Sequence, residues 1–262
     1  MELGLTGRKL TWAVAVGCIF WTVQAQAQLK LTIHPQRPLT GIDKREAAAS
    51  EVKRVAGNAQ LVEEKAWANQ RAQTVKDIVD YLPGVVAQPK NGAESQRLSI
   101  RGSGLAASFQ GRGLLLLQDG IPINTADGEF EFPVIDPWLI RYAQVFPGAN
   151  ALAFGGSNFG GAINFVTPTG QTAEGLRLRG EYGSFDTAHA LVSVGQKWKE
   201  GDLYAASSGF RQEGFRANNK QESARFNGNW GWQVNEETEA PAGLTLRCLT
   251  VRSLALSIPA IP

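Results

Sequence analysis

The chain has 262 residues, a formal net charge of +2 and a pI of about 8.6, so its charge gives no reason to expect a nucleic-acid partner. Its 29 glycines are typical of β structure with many turns. The two cysteines are Cys18 and Cys248, and since Cys18 lies in a predicted export signal, the mature chain has no pair for a disulfide.

The N-terminus has the parts of a secretory signal. Arg8-Lys9 precedes a mostly apolar run of 14 residues, Leu10–Val23, and Ala25-Gln26-Ala27 forms an A-x-A cleavage site. The run is shorter than the roughly 20 apolar residues that a membrane-spanning helix needs. Val16-Gly17-Cys18 resembles a lipoprotein signal, but the apolar run continues beyond it. We predict a signal peptide over residues 1–27.

Residues 28–50 are polar, contain two prolines and have no sustained periodicity, so we predict a flexible arm there. The folded part is expected to begin near residue 51. Thr74 and Asp77 have the spacing of a capping box, and an apolar face follows at helical spacing. Pro83-Gly84 is predicted to end this short helix, and Val85-Val86 to begin a strand.

Three short apolar runs mark the central stretch, Leu98–Asn164. They are Leu98–Ile100, Leu114–Leu117 and Ala162–Val166, separated by glycine-rich or acidic segments that cannot lie inside a strand. Buried strands have this appearance. The stretch is therefore predicted to form a small sheet with long, glycine-hinged loops.

Four motifs in this stretch carry a resemblance. In order and near these spacings, they resemble the plug domain of TonB-dependent outer-membrane receptors, and most nearly the ferric-citrate-receptor-like branch. The motifs are Ser99-Ile100-Arg101-Gly102, Gln118-Asp119-Gly120-Ile121-Pro122-Ile123-Asn124, Pro147-Gly148-Ala149-Asn150-Ala151-Leu152 and Gly160-Gly161-Ala162-Ile163-Asn164. The resemblance implies an α+β plug over residues 51–170, a small mixed sheet with short helices.

The function implied by the resemblance is uptake of a metal chelate, such as a ferric siderophore or ferric citrate, across the outer membrane. A TonB-type energy-coupling protein would be the partner. Such transport needs no covalent chemistry, so neither an enzyme nor a cofactor is expected. A soluble periplasmic plug-like binding module is the alternative.

Two glycine-rich segments imitate nucleotide sites. Residues 102–107 fit G-x-G-x-x-A, but Gly111 and Gly113 interrupt the helix that a dinucleotide fingerprint must open. Gly155–Gly161 lacks the Lys-Ser/Thr of a phosphate loop. His34 and His189 are isolated in the sequence, which shows neither a metal cluster nor a catalytic set.

By the resemblance, the loops at the outer end of the plug touch the ligand. The predicted ligand-binding residues are Gln110, Arg112, Asn124 and Glu129. A guanidinium suits the carboxylates of a ferric chelate, because it forms paired, charge-assisted hydrogen bonds with them. The alternative for Arg112 is a solvated charge or an ion pair with Asp119 or Glu129.

The resemblance also suggests two structural contacts. Arg101 is predicted to join plug and barrel through an internal ion pair. Leu29, Leu31 and Ile33 are predicted to dock on the energy-coupling protein by adding a strand to it, although a plain linker is the alternative. Where the family often has Arg before Gly-Pro, this chain has Val145-Phe146-Pro147-Gly148.

After Pro168 apolar and polar residues alternate. This period places each set on one side of a sheet. Apolar residues facing outward and polar residues facing inward are typical of strands in a transmembrane β-barrel, although a soluble β-sandwich has the same period. We predict that residues 171–240 form the first four or so antiparallel strands of such a barrel, in contact with outer-membrane lipid.

From about Ala240 the alternation stops, and residues 241–262 resemble neither the plug nor the strands. By the resemblance the barrel has about twenty-two strands. We therefore expect a fragment that cannot transport by itself, with a frameshift or premature stop near Ala240–Leu246, or else a genuinely short gene.

Overall fold

The computed structural model describes residues 44–80, 82–91, 95–104, 111–130, 132, 135–156, 158–199, 201–214, 220–235, 238–240 and 246–252, the backbone alone from residue 232 onward. The predicted signal peptide, Leu29, Leu31, Ile33 and Gln110 lie outside these residues. No helix in the described part is long and apolar enough to cross a membrane.

An α+β domain forms the first half of the described chain. It has two α-helices, α1 (Lys44–Arg54) and α2 (Val75–Val79), and three 3-10 helices at Glu64–Ala66, Pro137–Leu139 and Gly148–Phe154. Its seven strands are β1 (Gln60–Glu63), β2 (Val85–Asn91), β3 (Ser95–Ile100), β4 (Leu114–Gln118), β5 (Ile121–Pro122), β6 (Tyr142–Pro147) and β7 (Gly161–Val166).

Five of these strands form one mixed sheet in the order β1-β6-β7-β4-β5. Only β4 and β7 pair in parallel; the other pairs are antiparallel. Strands β2 and β3 form a separate hairpin, so the three predicted apolar runs are all strands but belong to two sheets. The predicted small mixed sheet with short helices is confirmed.

Both faces of the central sheet are covered. Val145 and Ile163 pack in the larger core with α2, whereas their neighbours Phe146 and Ala162 pack on the opposite face with Val52 of α1. Strand side chains alternate between faces, which explains why β6 is buried along its whole length. Helix α1 begins inside the segment predicted to be a flexible arm.

Helix α2 begins as the sequence predicts. The Asp77 carboxylate accepts hydrogen bonds from the backbone N–H of Thr74 at 2.8 Å and of Gln73 at 2.9 Å. It thereby satisfies donors that the first helical turn leaves free. Val75, Ile78 and Val79 are buried on the predicted apolar face.

The second half is an antiparallel sheet. Its long strands are β8 (Gly175–Gly183), β9 (Thr187–Trp198), β10 (Gly201–Gln212) and β11 (Gln221–Asn235), in sequential order. Two shorter strands, β12 (Thr238–Ala240) and β13 (Leu246–Arg252), both pair with β11. The sequence predicted four strands and no continuation of the pattern beyond Ala240, so β13 is an addition.

The alternation along β8 to β11 has the predicted sense. Polar residues of the inner face meet the α+β domain: Arg177 pairs with Glu64 at 2.7 Å, and Asn229 donates to the carbonyl of Pro168 at 2.7 Å. Large apolar residues are exposed on the outer face. They are Leu176, Leu178, Tyr182, Val192, Val194, Leu203, Phe226 and Trp230.

We expect Gly195→Ala to destabilise the fold by about 1–3 kcal/mol, the range for overpacking a well-packed site. A Cβ at Gly195 would overlap the carbonyl oxygen of Ala173, a backbone atom that cannot swing away. Gly209→Ala on the next strand is the matched control, because a Cβ there meets nothing within 4 Å. Equal denaturation midpoints for the two variants would contradict the expected clash.

Candidate functional site

The first candidate site is a cluster of charged residues where two loops meet. A backbone bridge joins Gly111 to Phe130, and the N–H of Phe130 donates to the carbonyl of Gly111 at 3.2 Å. The Phe130 ring lies where a Cβ of residue 111 would be, so this position requires glycine. The bridge places Arg112 beside Glu129.

Arg112 and Glu129 form an ion pair. The Nε and Nη2 of Arg112 donate to one Glu129 carboxylate oxygen at 3.2 and 2.8 Å, and Asp127 lies 3.6 Å from the same guanidinium. The structure therefore shows the Glu129 pairing that the sequence left as an alternative. The Arg112 side chain is still 54% exposed, which leaves room for a ligand. The Thr125 hydroxyl, with the backbone N–H of Glu129, lowers the pKa of Asp127.

Asn124 holds the same loop in place. Its Oδ1 accepts from the N–H of Leu116 at 2.8 Å, and its Nδ2 donates to the carbonyls of Leu114 and Gly128 at 2.9 and 3.2 Å. These bonds occupy both amide hydrogens. Asn124 thus positions β4 and the loop, and its direct contact with ligand stays a prediction.

Arg101 contacts the α+β domain itself. Its Nη2 donates to the carbonyl of Gly57 at 2.9 Å, and its backbone has a φ of 52°. The predicted ion pair with a barrel strand is not the contact that the described residues show. The contacts between the domain and the strands come from other residues.

Asp136 is the centre of the second candidate site, the interface between the α+β domain and the strand sheet. It is 2% exposed and precedes the 3-10 helix Pro137–Leu139, where its Oδ1 accepts from the N–H of Trp138 at 2.9 Å. Its Oδ2 accepts from the Ser208 hydroxyl at 2.5 Å. Arg225 Nη1 and His189 Nε2 lie 3.7 and 3.4 Å from that oxygen.

These surroundings favour the ionised carboxylate. Burial would raise the pKa of Asp136, but the His189 ring, the Arg225 guanidinium and the Ser208 hydroxyl outweigh burial and hold the pKa below its ordinary value. The three partners lie on β9, β11 and β10. One carboxylate of the domain therefore joins three adjacent strands.

Trp138 continues the same contact. The His189 ring stacks on it with centroids 3.7 Å apart, and the Arg179 guanidinium lies 4.0 Å from its ring centroid, a cation–π distance. Trp67 supports the segment from behind by donating from Nε1 to the Pro137 carbonyl at 3.1 Å. His189, isolated in the sequence, is thus part of the interface.

The sequence analysis missed Asp136 and Trp138. Asp before Pro at the start of a helix is a recognisable capping signal, but it does not indicate what the carboxylate will contact. Among the described residues, no group of three His, Cys, Asp or Glu side chains is placed to hold a metal ion.

Comparisons with known proteins identify the domain. Residues 51–162 match the family described as TonB-dependent Receptor Plug Domain. The vitamin B12 transporter BtuB of Vibrio vulnificus is 28% identical over 147 residues, 55% of this chain and 23% of BtuB. The hemin receptor of Yersinia enterocolitica is 27% identical over 107 residues, 41% of this chain and 15% of that receptor.

Solved structures share the fold. The siderophore receptor PirA from Acinetobacter baumannii superimposes with a TM-score of 0.53 at 16% identity, over 71% of this chain and 30% of PirA. The α+β domain is thus a plug, packed on strands of the kind that surround one. The chain belongs to the TonB-dependent outer-membrane receptors, and its relatives are receptors and transporters rather than enzymes.

We expect Asp136→Asn to destabilise the packing of plug on strands by about 3–5 kcal/mol, the usual cost of breaking a buried pair from one side. Asparagine keeps the shape but leaves Arg225, whose side chain is 13% exposed, without its anion. Asp127→Asn is the control, because that carboxylate is exposed. Equal losses in a denaturant titration would contradict the role of Asp136.

The same variant should change the response to acid. Because the folded-state pKa of Asp136 is lowered, its stabilisation is complete above the ordinary carboxyl pKa of about 3.9 and is lost as the pH falls through the folded-state value. Wild-type stability should therefore decline more steeply than that of Asp136→Asn below about pH 4.

Proposed function

We propose that this chain acts in the uptake of a metal chelate, such as a ferric siderophore or ferric citrate, across the outer membrane. The supporting observation is a plug domain that rests on the polar inner face of strands whose outer face is apolar. The relatives above are named for vitamin B12, hemin and siderophore, so likeness alone does not choose the cargo.

The apolar outer face supports contact with lipid. Leu176 and Leu178 of β8 are each 68% exposed, and Val192, Leu203, Phe226 and Trp230 continue this surface across the sheet. Such a surface costs free energy in water and gains it in hydrocarbon. An apolar outer band with a polar inner face is the pattern of strands in a bacterial outer membrane.

The charged cluster at Arg112 is the proposed ligand contact. Its guanidinium is bound by Glu129 and remains half exposed, so a carboxylate of an incoming chelate would exchange one anionic partner for another. Exposed ion pairs contribute only about 0–1 kcal/mol, so this exchange is inexpensive. Gln110, which the sequence places two residues earlier, would add an amide to the same loop.

Transport itself requires motion rather than chemistry. We propose that a TonB-type protein binds the N-terminal arm through Leu29, Leu31 and Ile33, and that its pull moves the plug. Backbone hydrogen bonds between strands supply affinity in this mode of recognition, and side chains at alternate positions add selectivity. The three proposed docking residues are alternate positions of one extended segment.

We expect Arg112→Ala to weaken chelate binding by about 1–3 kcal/mol, the scale of a hydrogen bond to a charged group. The measurement is titration of ferric citrate and of a ferric hydroxamate into outer membranes that carry the protein. Arg211→Ala is the matched control, since Arg211 is an exposed arginine that also pairs with a glutamate, Glu213. Binding that is unchanged in Arg112→Ala would remove Arg112 from the site.

We expect the arm to be captured by the periplasmic domain of a TonB-type protein, and capture to fail when Leu29, Leu31 and Ile33 are all replaced by Asp. A strand with three charges along one face adds poorly to a sheet edge. Arg45→Asp, within α1, is the control. Capture that is lost only on changing another segment would move the docking site there. Recovery of the protein in the soluble periplasmic fraction would favour the binding-module alternative.

A further inference from the structure

A small cavity lies between the plug and the strand sheet, beside the Asp136 contact. Its volume is about 20 Å³. The plug contributes the residues around the start of α2, and β9, β10 and β11 contribute the opposite wall. The polar lining residues are Gln73, Thr74, Gln96, His189, Ser223 and Arg225. Val75, Phe132, Ile135 and Phe210 form the apolar part of the lining.

Three lining side chains have buried polar atoms without a hydrogen-bond partner among the described residues. They are Nε2 of Gln73, Oγ of Ser223 and the ring nitrogens of His189. Ser223 is 6% and His189 3% exposed, so bulk water does not reach them. His189 Nε2 is 3.4 Å from the Asp136 carboxylate, and Nδ1 lacks even such a neighbour. Unmet polar atoms of this kind cost about 1–3 kcal/mol each.

The size and chemistry of the cavity select its occupant. A cavity needs about 10–15 Å³ to hold one water molecule, and a bound water usually has two to four polar partners. Both conditions are met here, while apolar ligands and organic ions are too large. A cation is disfavoured because the amide of Gln73 presents N–H donors and the nearby Asp136 charge is already balanced by Arg225.

We propose that this cavity is a binding site for one ordered water molecule that bridges the plug to β9 and β11. The water accepts a hydrogen bond from the Gln73 amide and donates to the imidazole of His189, and the Ser223 hydroxyl supplies the third contact. All three orphaned groups are satisfied by one molecule. The bridge thereby extends the polar contact that begins at Asp136.

The site also bears on how the two surfaces separate, a consequence that rests on the proposed function. A direct side-chain bond leaves two desolvated groups when it breaks, whereas a bridging water stays with one surface and bulk water replaces it on the other. A hydrated contact therefore lowers the cost of moving the plug without weakening the contact at rest.

The test is a crystal structure of the 262-residue protein at a resolution that shows ordered water. The expected result is one peak within about 2.7–3.2 Å of at least two of the three groups. A cavity without density, a Gln73 amide that bonds directly to Ser223, or a peak with the short contacts of a metal ion would each overturn the proposal.

Two variants sharpen the test. Ser223→Val removes the hydroxyl and fills the space with methyl groups, and Gln73→Met removes the amide at nearly constant length, so the peak should be lost from both. Ser207→Val is the matched control, because Ser207 lies on the outer face of β10, and its peak should be retained. If Ser223→Val does not fold, Gln73→Met decides. A peak that persists unchanged in the folded variants shows that these side chains do not bind it. None of these readouts depends on chelate uptake.

Discussion

A buried carboxylate must be compensated wherever it lies, and that requirement fixes how the plug sits on the strands. Asp136 is compensated only where Ser208, Arg225 and His189 converge on the inner face of three adjacent strands. Ser208 and Arg225 are direct cross-strand partners. A one-residue slip of either strand would turn its partner to the outer face. The strand register and the plug position therefore depend on one another.

The interface combines this ionic contact with few large apolar contacts, and that balance suits a domain that has to move. Hydrophobic burial is non-directional and gives affinity, whereas buried charge pairs give position at small net gain, because desolvation offsets most of their attraction. Arg177 with Glu64 and Arg179 with the Ala68 carbonyl extend the polar character along β8. Within the proposed function, the plug is held in one place without being held tightly.

Local rules determine the parts of the fold that the sequence predicted. Alternation along β8 to β11 follows from strand geometry, and the α2 start follows from the Thr74–Asp77 spacing. Strand β1 and helix α1 were missed because neither has a strong period, and both are fixed by packing against β6 and its neighbours. Asp136 was missed for the same reason: the Asp-Pro pair predicts a cap, but its charged partners are 53 to 89 residues later in the chain.

The two charged sites differ in what it costs to break them. At the outer loops, Arg112 and Glu129 meet with the arginine half in water, and such pairs contribute about 0–1 kcal/mol. At the wall, Asp136 and Arg225 are largely shielded, and separating them costs several times more. A chelate that takes over Arg112 therefore disturbs the loop and leaves the wall contact intact. Ligand binding at that loop does not by itself release the plug; moving Asp136 away from its three strands requires a second source of energy, which is the part that the proposal assigns to the coupling protein.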